Sequence, residues 1–262
     1  MSKNFELLTQ LGERFALIPT SETCPTGEPP ADNPVVRLSD SSVVGLPVVR
    51  EKPELAPTGE ELELVQRIFL LPGAEAPNTV VFCGVEDDED ASTLCIRVGE
   101  LLAAHTSGDV CIVDANLQNP YLHKQYSPTN DLGITDLVLA DGNARRVVRK
   151  IGSRPMWLLS AGVRNAEGQA MLTLDRLRSQ ISELREKFSH VLISAPPASL
   201  SREAILFGRF ADGVILVLKA NSTRRATALK VKESLEAANV RLLGAVLADR
   251  VFPIPEALYR KL

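Results

Sequence analysis

Two adjacent hydroxyls, Ser92 and Thr93, stand where a loop gives way to a helical pattern, a place where a chain can hold a phosphate group and its magnesium ion. The apolar run Thr79-Val80-Val81-Phe82-Cys83 leads into the loop, and Gly84-Val85-Glu86-Asp87-Asp88-Glu89-Asp90-Ala91 fills it. A working phosphate-binding loop needs glycines, so that backbone N–H groups surround the phosphates, and a lysine to meet them. It also needs a Ser or Thr hydroxyl for the metal. Here the hydroxyls are in place, but Ala91 occupies the lysine position and Asp90 the preceding glycine position. Glu86 to Asp90 are five acids in succession. One charge at about 4 Å is worth on the order of 1 kcal/mol in water and ~4 kcal/mol at an effective dielectric of 20. Several carboxylates facing a triphosphate would outweigh the attraction of a helix N-terminus, at most about 2 kcal/mol. The loop also admits a plainer reading, a solvated acidic turn that favours the start of the helix.

The elements that must position this loop follow from hydrophobic spacing. Thr58-Gly59-Glu60-Glu61 has the capping-box pattern and predicts a helix through about Leu71. Beyond it, β-branched apolar runs alternate with helical patterns. The strands are Thr79 to Cys83, Asp109 to Asp114, Met156 to Ser160, His190 to Ser194, Gly213 to Lys219 and Arg241 to Ala248. The helices are Ala91 to His105, Leu132 to Ala140, Leu172 to Phe188, Arg202 to Phe210 and Arg224 to Ala238. Strands without polar alternation are buried on both faces, so the expected fold is α/β: a doubly wound, mostly parallel sheet flanked by helices, like a P-loop NTPase.

Two further zones precede this domain. Residues 1–17 read as an amphipathic N-terminal helix, with Phe5, Leu8, Leu11 and Phe15 at helical spacing; it can pack on its own domain or on a partner. Residues 18–57 form a proline-rich linker, expected to be extended and disordered, with Val43 to Val49 as a candidate docked patch. The domain itself spans residues 58–262.

Composition excludes several classes. A net charge of −4 gives no general reason to bind nucleic acid or anionic lipid. No apolar run reaches the roughly 18 to 20 residues of a membrane span, and Met1 to Phe15 lacks a signal-peptide pattern. A cytoplasmic protein without direct membrane insertion is expected, recruited to the inner face of the membrane only through a partner. Cys24, Cys83, Cys95 and Cys111 form no Cys-x-x-Cys pair and read as small hydrophobes in a reducing compartment. His105, His123 and His190 have no metal-ligand spacing, so no metal site is expected. The acid run lacks the alternating ligand spacing of a calcium loop.

From Thr58 to Val251 the order of motifs resembles the cytosolic domains of bacterial tyrosine kinases of the capsular and exopolysaccharide biosynthesis family. These kinases share the deviant P-loop fold of the septum-site protein Min D. The acidic loop sits where that family has Pro-Gly-Glu-Gly-Lys-Ser-Thr. Val113-Asp114-Ala115-Asn116-Leu117-Gln118-Asn119-Pro120 resembles its Asp-x-Asp-x-Arg-x-Pro motif, with Asp114, Leu117 and Pro120 matching, Asn116 at the second aspartate and Gln118 at the arginine. Gly133-Ile134-Thr135-Asp136-Leu137 resembles Gly-Leu-Ser-Asp-Leu, and Leu159-Ser160-Ala161-Gly162 resembles Leu-Pro-Ala-Gly. Val191-Leu192-Ile193-Ser194-Ala195-Pro196-Pro197 matches the apolar strand that normally ends in Asp-Thr/Ser-Pro-Pro, with Ser194 at the aspartate that handles magnesium and water. Ala211 to Val217 and Leu243 to Leu247 match the closing strands. The subunit-contact motif Glu-x-x-Arg-x-x-Arg reads Glu61-x-x-Leu64-x-x-Arg67, and a lone Tyr259 stands where active members carry a tyrosine cluster.

Scaffold motifs survive while groups for phosphate, metal and proton handling are missing. The resemblance therefore implies a pseudokinase of exopolysaccharide or capsule production that acts by binding. Its implied partner is a membrane chain-length or export protein or an active kinase paralogue, with homo-oligomers open. No catalytic residue is expected; Ser92, Thr93 and Asp114 are the remnant of a nucleotide site. No cofactor is expected unless the site works, in which case ATP and magnesium are implied. The rival reading is an active tyrosine kinase with a rearranged site, using Asp114 for metal and Lys124 as a substitute cation. A positioning ATPase of the Min D type is a third, but no Lys- and Arg-rich C-terminal targeting helix is evident.

Overall fold

The core strands form the sheet that their unbroken apolar runs predict. The structure, a computed structural model, describes residues 19–20, 59–70, 76–87, 89–126, 132–139, 147–163 and 174–249. In chain order the elements are β1 (Pro19–Thr20), α1 (Gly59–Phe69), β2 (Thr79–Gly84), α2 (Asp90–His105), β3 (Val110–Asp114), α3 (Leu122–Tyr126) and α4 (Ile134–Leu139). Then come β4 (Arg149–Ile151), β5 (Met156–Leu159), α5 (Leu174–Lys187), β6 (His190–Ala195), α6 (Glu203–Gly208), β7 (Gly213–Lys219), α7 (Arg225–Ala237) and β8 (Leu242–Ala248). The sheet order is β1-β8-β7-β2-β6-β3-β5-β4, parallel throughout except for the β4–β5 pair.

Each central strand sends alternate residues into two separate apolar layers. Val80 and Phe82 of β2 pack with Leu64, Val65 and Phe69 of α1 and with Leu94, Cys95 and Val98 of α2. Val81 and Cys83 face the other layer, with Leu177, Ile181 and Leu184 of α5 and Phe207 of α6. Burial on both faces is why these strands show no polar alternation. Cys83, Cys95 and Cys111 are free and buried, and burial pushes the Cys83 thiol up to about 12, so they behave as inert core residues.

The α1 residues Glu61, Leu64 and Arg67 divide between core and surface. Leu64, at the position of the missing arginine, is 3% exposed in the core. Glu61 is buried and its carboxylate accepts from Arg97 Nη1 of α2 at 2.6 Å, so the pair ties α1 to α2. Arg67 pairs with Glu63 one turn away on the surface.

Two short motifs that the sequence presents separately meet in space. Ile134 N–H donates to Ser160 C=O at 2.8 Å, and Gly133 N–H donates to the Asp136 carboxylate at 2.8 Å. Gly162 holds φ +88°, and a Cβ built on Gly133 would lie 2.0 Å from Gly162 N, so both positions require glycine. The antiparallel β4 and the short α3 were not among the expected elements. The N-terminal helix, the cap at Thr58, the patch Val43 to Val49 and the end segment with Tyr259 lie outside the described residues. So does the linker, apart from the two residues that extend the sheet along β8.

Candidate nucleotide site

Parallel strands bring four loops to one edge of the sheet. Gly84 of β2 is level with Val217 of β7, Cys83 is level with Ala195 of β6, and Asp114 of β3 is level with Ser194. The carboxyl ends of β2, β3, β6 and β7 therefore converge, at the place where open α/β sheets hold ligands. Ser92, Thr93 and Asp114, the remnant site read from the sequence, all lie here.

At the centre, Ser92 Oγ and Ser194 Oγ are hydrogen-bonded to each other at 2.9 Å. Both side chains are buried, at 8% and 0% exposure. Ser92 comes from the first turn of α2 and Ser194 from the end of β6. The hydroxyl of the first motif and the residue at the aspartate position of the third thus satisfy one another as a neutral pair. Thr93 is hydrogen-bonded through its side chain to Tyr121, whose hydroxyl also meets Glu89 and accepts from Gln125 Nε2 at 2.7 Å. Burial, first of all, raises the pKa of that phenol. Tyr121 therefore fastens the second motif across the acidic loop.

Asp114 is 1% exposed and holds its own loop. One carboxylate oxygen accepts from Tyr121 N–H and Leu122 N–H, both at 2.9 Å, and the other accepts from Asn116 N–H at 3.3 Å. Burial pushes its pKa up to about 6, against the opposing pull of these three N–H groups and of the Lys124 charge. The side chain is a buried acceptor that shapes the turn.

Lys219, at the end of β7, is the residue that sequence reasoning missed. Its ammonium lies 3.1 Å from an Asp90 carboxylate oxygen and 3.0 Å from one of Asp249. Hydrogen bonds to Asp249 first, and to Asp90, hold its pKa above the ordinary lysine value. The strand order places it there: β7 lies beside β2, so its last residue sits next to the loop that follows β2. Lys124, the substitute cation proposed from sequence, is exposed and stands over the Tyr121 ring at 5.9 Å. The start of the loop is also held: Ser222 Oγ donates to Glu86 at 2.9 Å, Ala198 N–H donates to Gly84 C=O at 2.9 Å, and Ser199 Oγ donates to Val85 C=O.

The residues present do not fit a magnesium-bound triphosphate. Glu86, Glu89 and Asp90 put carboxylates in the loop, Lys219 is shared between two carboxylates, and the hydroxyl pair offers magnesium no charged oxygen. Among the described residues no group of three or more His, Cys, Asp or Glu side chains could hold a metal ion. No helix among them is long and apolar enough to cross a membrane.

No family model matches the chain. It is 25% identical over 138 residues to the tyrosine-protein kinase YwqD of Bacillus subtilis (strain 168), which covers 53% of this chain and 58% of that one. It is 23% identical over 217 residues to the tyrosine-protein kinase etk of Escherichia coli (strain K12), 82% of this chain but 27% of that one. The chain thus spans less than two thirds of either relative's length. Among solved structures, the chimerical protein CapA2B2 superposes with a TM-score of 0.70 at 21% identity, covering 77% of this chain and 88% of that one. Min D in the MinC:MinD complex of Aquifex aeolicus belongs to the same fold group, with a TM-score of 0.55 at 17% identity over 70% of this chain and 72% of that one. The chain is a relative of the bacterial tyrosine kinases, built on the P-loop fold that also serves the Min D-type ATPases.

Proposed function

We propose that this chain is a nucleotide-impaired relative of the bacterial tyrosine kinases that works by binding, as a regulatory or scaffolding component of exopolysaccharide or capsule production. The observation that carries the reading is the Ser92–Ser194 hydroxyl pair. In the related kinases these two positions are where a hydroxyl and an aspartate handle magnesium; here they are neutral and closed on each other. Ala91 at the lysine position and the acids around it act in the same direction, since each lost charge-assisted bond to phosphate is worth roughly 1.5 to 3 kcal/mol. The partner of this reading is a membrane chain-length or export protein, or an active kinase paralogue. Titration calorimetry of the purified chain with ATP and ADP, magnesium present, tests it. No saturable heat up to millimolar nucleotide is expected; micromolar binding at this edge overturns the reading.

Lys219 favours a second reading, an active tyrosine kinase with a rearranged site. Its ammonium already stands beside the loop, 3.1 Å from Asp90, and would meet a phosphate if Asp90 gave way. Phosphorylation of tyrosine by the purified chain that disappears in Lys219→Met would establish this version; no phosphorylation by the parent chain would end it.

A further inference from the structure

The opposite edge of the sheet carries a second candidate site of opposite sign. Asp175, Arg178, Ser182 and Arg185 share one face of α5, and with Arg209 and Phe210 after α6 they line a cavity of about 530 Å³. Arg185 is fixed in place: Nη2 donates to the Asp212 carboxylate at 2.7 Å and Nη1 to Phe210 C=O at 3.3 Å. Asp212 immediately precedes β7, so the cavity sits at the amino end of the strand whose carboxyl end holds Lys219. The seven residues of β7 separate the two sites by roughly 20 Å at about 3.3 Å per residue.

Arg178 and Arg209 are exposed, and among the described residues neither guanidinium has an ion-pair partner. With Arg185 answered by Asp212, the lining holds two free guanidinium groups against one carboxylate, Asp175. Like charges gathered in a concavity repel one another unless an anion joins them.

We propose that this cavity binds an organic phosphate monoester. Two planar guanidinium forks match the oxygens of a dianionic phosphoryl group, and the Ser182 hydroxyl adds a donor. A lone carboxylate would need only one fork. The volume lies within the range of small-molecule sites and exceeds what inorganic phosphate alone would fill. The rest of the ligand meets Phe210 as an apolar wall and Asp175 as an acceptor for a hydroxyl or amine.

Phenyl phosphate, titrated into the full chain at low ionic strength, is the probe. Saturable binding is expected, weakened about tenfold to a hundredfold in Arg178→Gln and in Arg209→Gln. Both side chains are exposed, so thermal melting should not change, and the melting curve checks that each variant is folded. Absence of saturable binding at millimolar phenyl phosphate overturns the proposal, as does undiminished binding in the double variant. A short phosphotyrosyl peptide and glucose 1-phosphate then separate two natural sources of the same chemistry: tighter binding of the peptide assigns the site to a phosphorylated side chain, tighter binding of the sugar to a metabolite. ATP also carries phosphates, so the nucleotide titration is repeated on the double variant. Heat lost with the arginines belongs to this cavity and counts for it, while heat that persists belongs to the loop edge and counts only against the impaired-site reading.

Discussion

The carboxyl edge and the amino edge of this sheet both display an aspartate next to a strand, yet the two carboxylates live differently. Asp114, at the carboxyl end of β3, is sealed in and pushed up to about 6 by burial. At the amino edge, burial pulls Asp212 upward too, but Thr79 N–H, Arg185 and Asn78 N–H together hold its pKa below the usual carboxylate value. Thr79 N–H and Asn78 N–H both donate to it at 2.8 Å, and a full guanidinium faces it. The difference separates a carboxylate answered by an opposite charge from one answered by backbone amides. At the amino edge the aspartate beside the strand is answered by a full opposite charge, Arg185. At the carboxyl edge, Asp114 accepts only from backbone N–H groups, with the Lys124 charge acting on it from further off, while the loop acids Glu86, Glu89 and Asp90 are met by Ser222, Tyr121 and Lys219.

The strongest way to break that contrast is to return the missing charges. Asp90→Gly, Ala91→Lys and Ser194→Asp together remove an acid from the loop, restore a cation and replace the neutral hydroxyl pair with a carboxylate. Titration calorimetry is expected to show ATP–magnesium affinity rising at least about a hundredfold over the parent chain, the equivalent of one or two charge-assisted bonds. A folded triple variant that still ignores nucleotide would place the deficit in Glu86, Asp87 and Glu89 instead.

Asp114 offers a sharper test, because its titration separates a buried structural acceptor from a metal-handling group. Its folded pKa lies above the unfolded value, so the folded state holds the extra proton between about pH 4 and 6. Its contribution to stability is greatest below pH 4 and is lost as pH rises through 6. Asp114→Asn keeps an oxygen for Tyr121 N–H and Leu122 N–H but does not titrate. Chemical denaturation should therefore show the variant gaining on the parent by ~1.4 kcal/mol between pH 5 and pH 7, one pK unit's worth. A difference that stays flat would mean that Asp114 is ionised throughout, as a ligand for a cation would be.

How much of this was legible in the residues depends on the range of the interaction. The sheet was readable because Val80, Phe82 and their neighbours are apolar on both faces, a local pattern that survives whatever they pack against. The acid run and Ala91 were readable because a phosphate loop is contiguous. What could not be read was who meets whom across strands. Ser92 and Ser194 are 102 positions apart, and Asp90 and Lys219 are 129 apart; only the order of strands brings them together. Lys124 drew attention because it is near Asp114 in sequence, while Lys219, near the loop in space, went unnoticed. The arginine cavity escaped for the same reason, since Arg178 lies in α5 and Arg209 just after α6. β4, three residues long, carries too little pattern to announce a strand.

The smallest expected effect bears on whether the loop's order depends on Lys219. That side chain is 32% exposed, and Asp249 is 44% exposed, so water screens both ion pairs. Removing the ammonium in Lys219→Met should lower unfolding stability by less than about 1 kcal/mol. The local consequence is larger than the global one, because Asp90 loses the Lys219 ammonium while Glu89 and its other acidic neighbours stay beside it. Amide hydrogen exchange is expected to quicken across 85–90 and stay unchanged in the buried β2. Salt supplies the control: at about 1 M the Debye length shrinks to roughly 3 Å, so the parent's loop should move toward the variant's exchange rate while the variant responds little. Equal exchange in both chains would locate the loop's restraint in Ser199, Ser222 and Tyr121, hydrogen bonds that salt does not weaken, and would remove Lys219 as a candidate cation for any rearranged site.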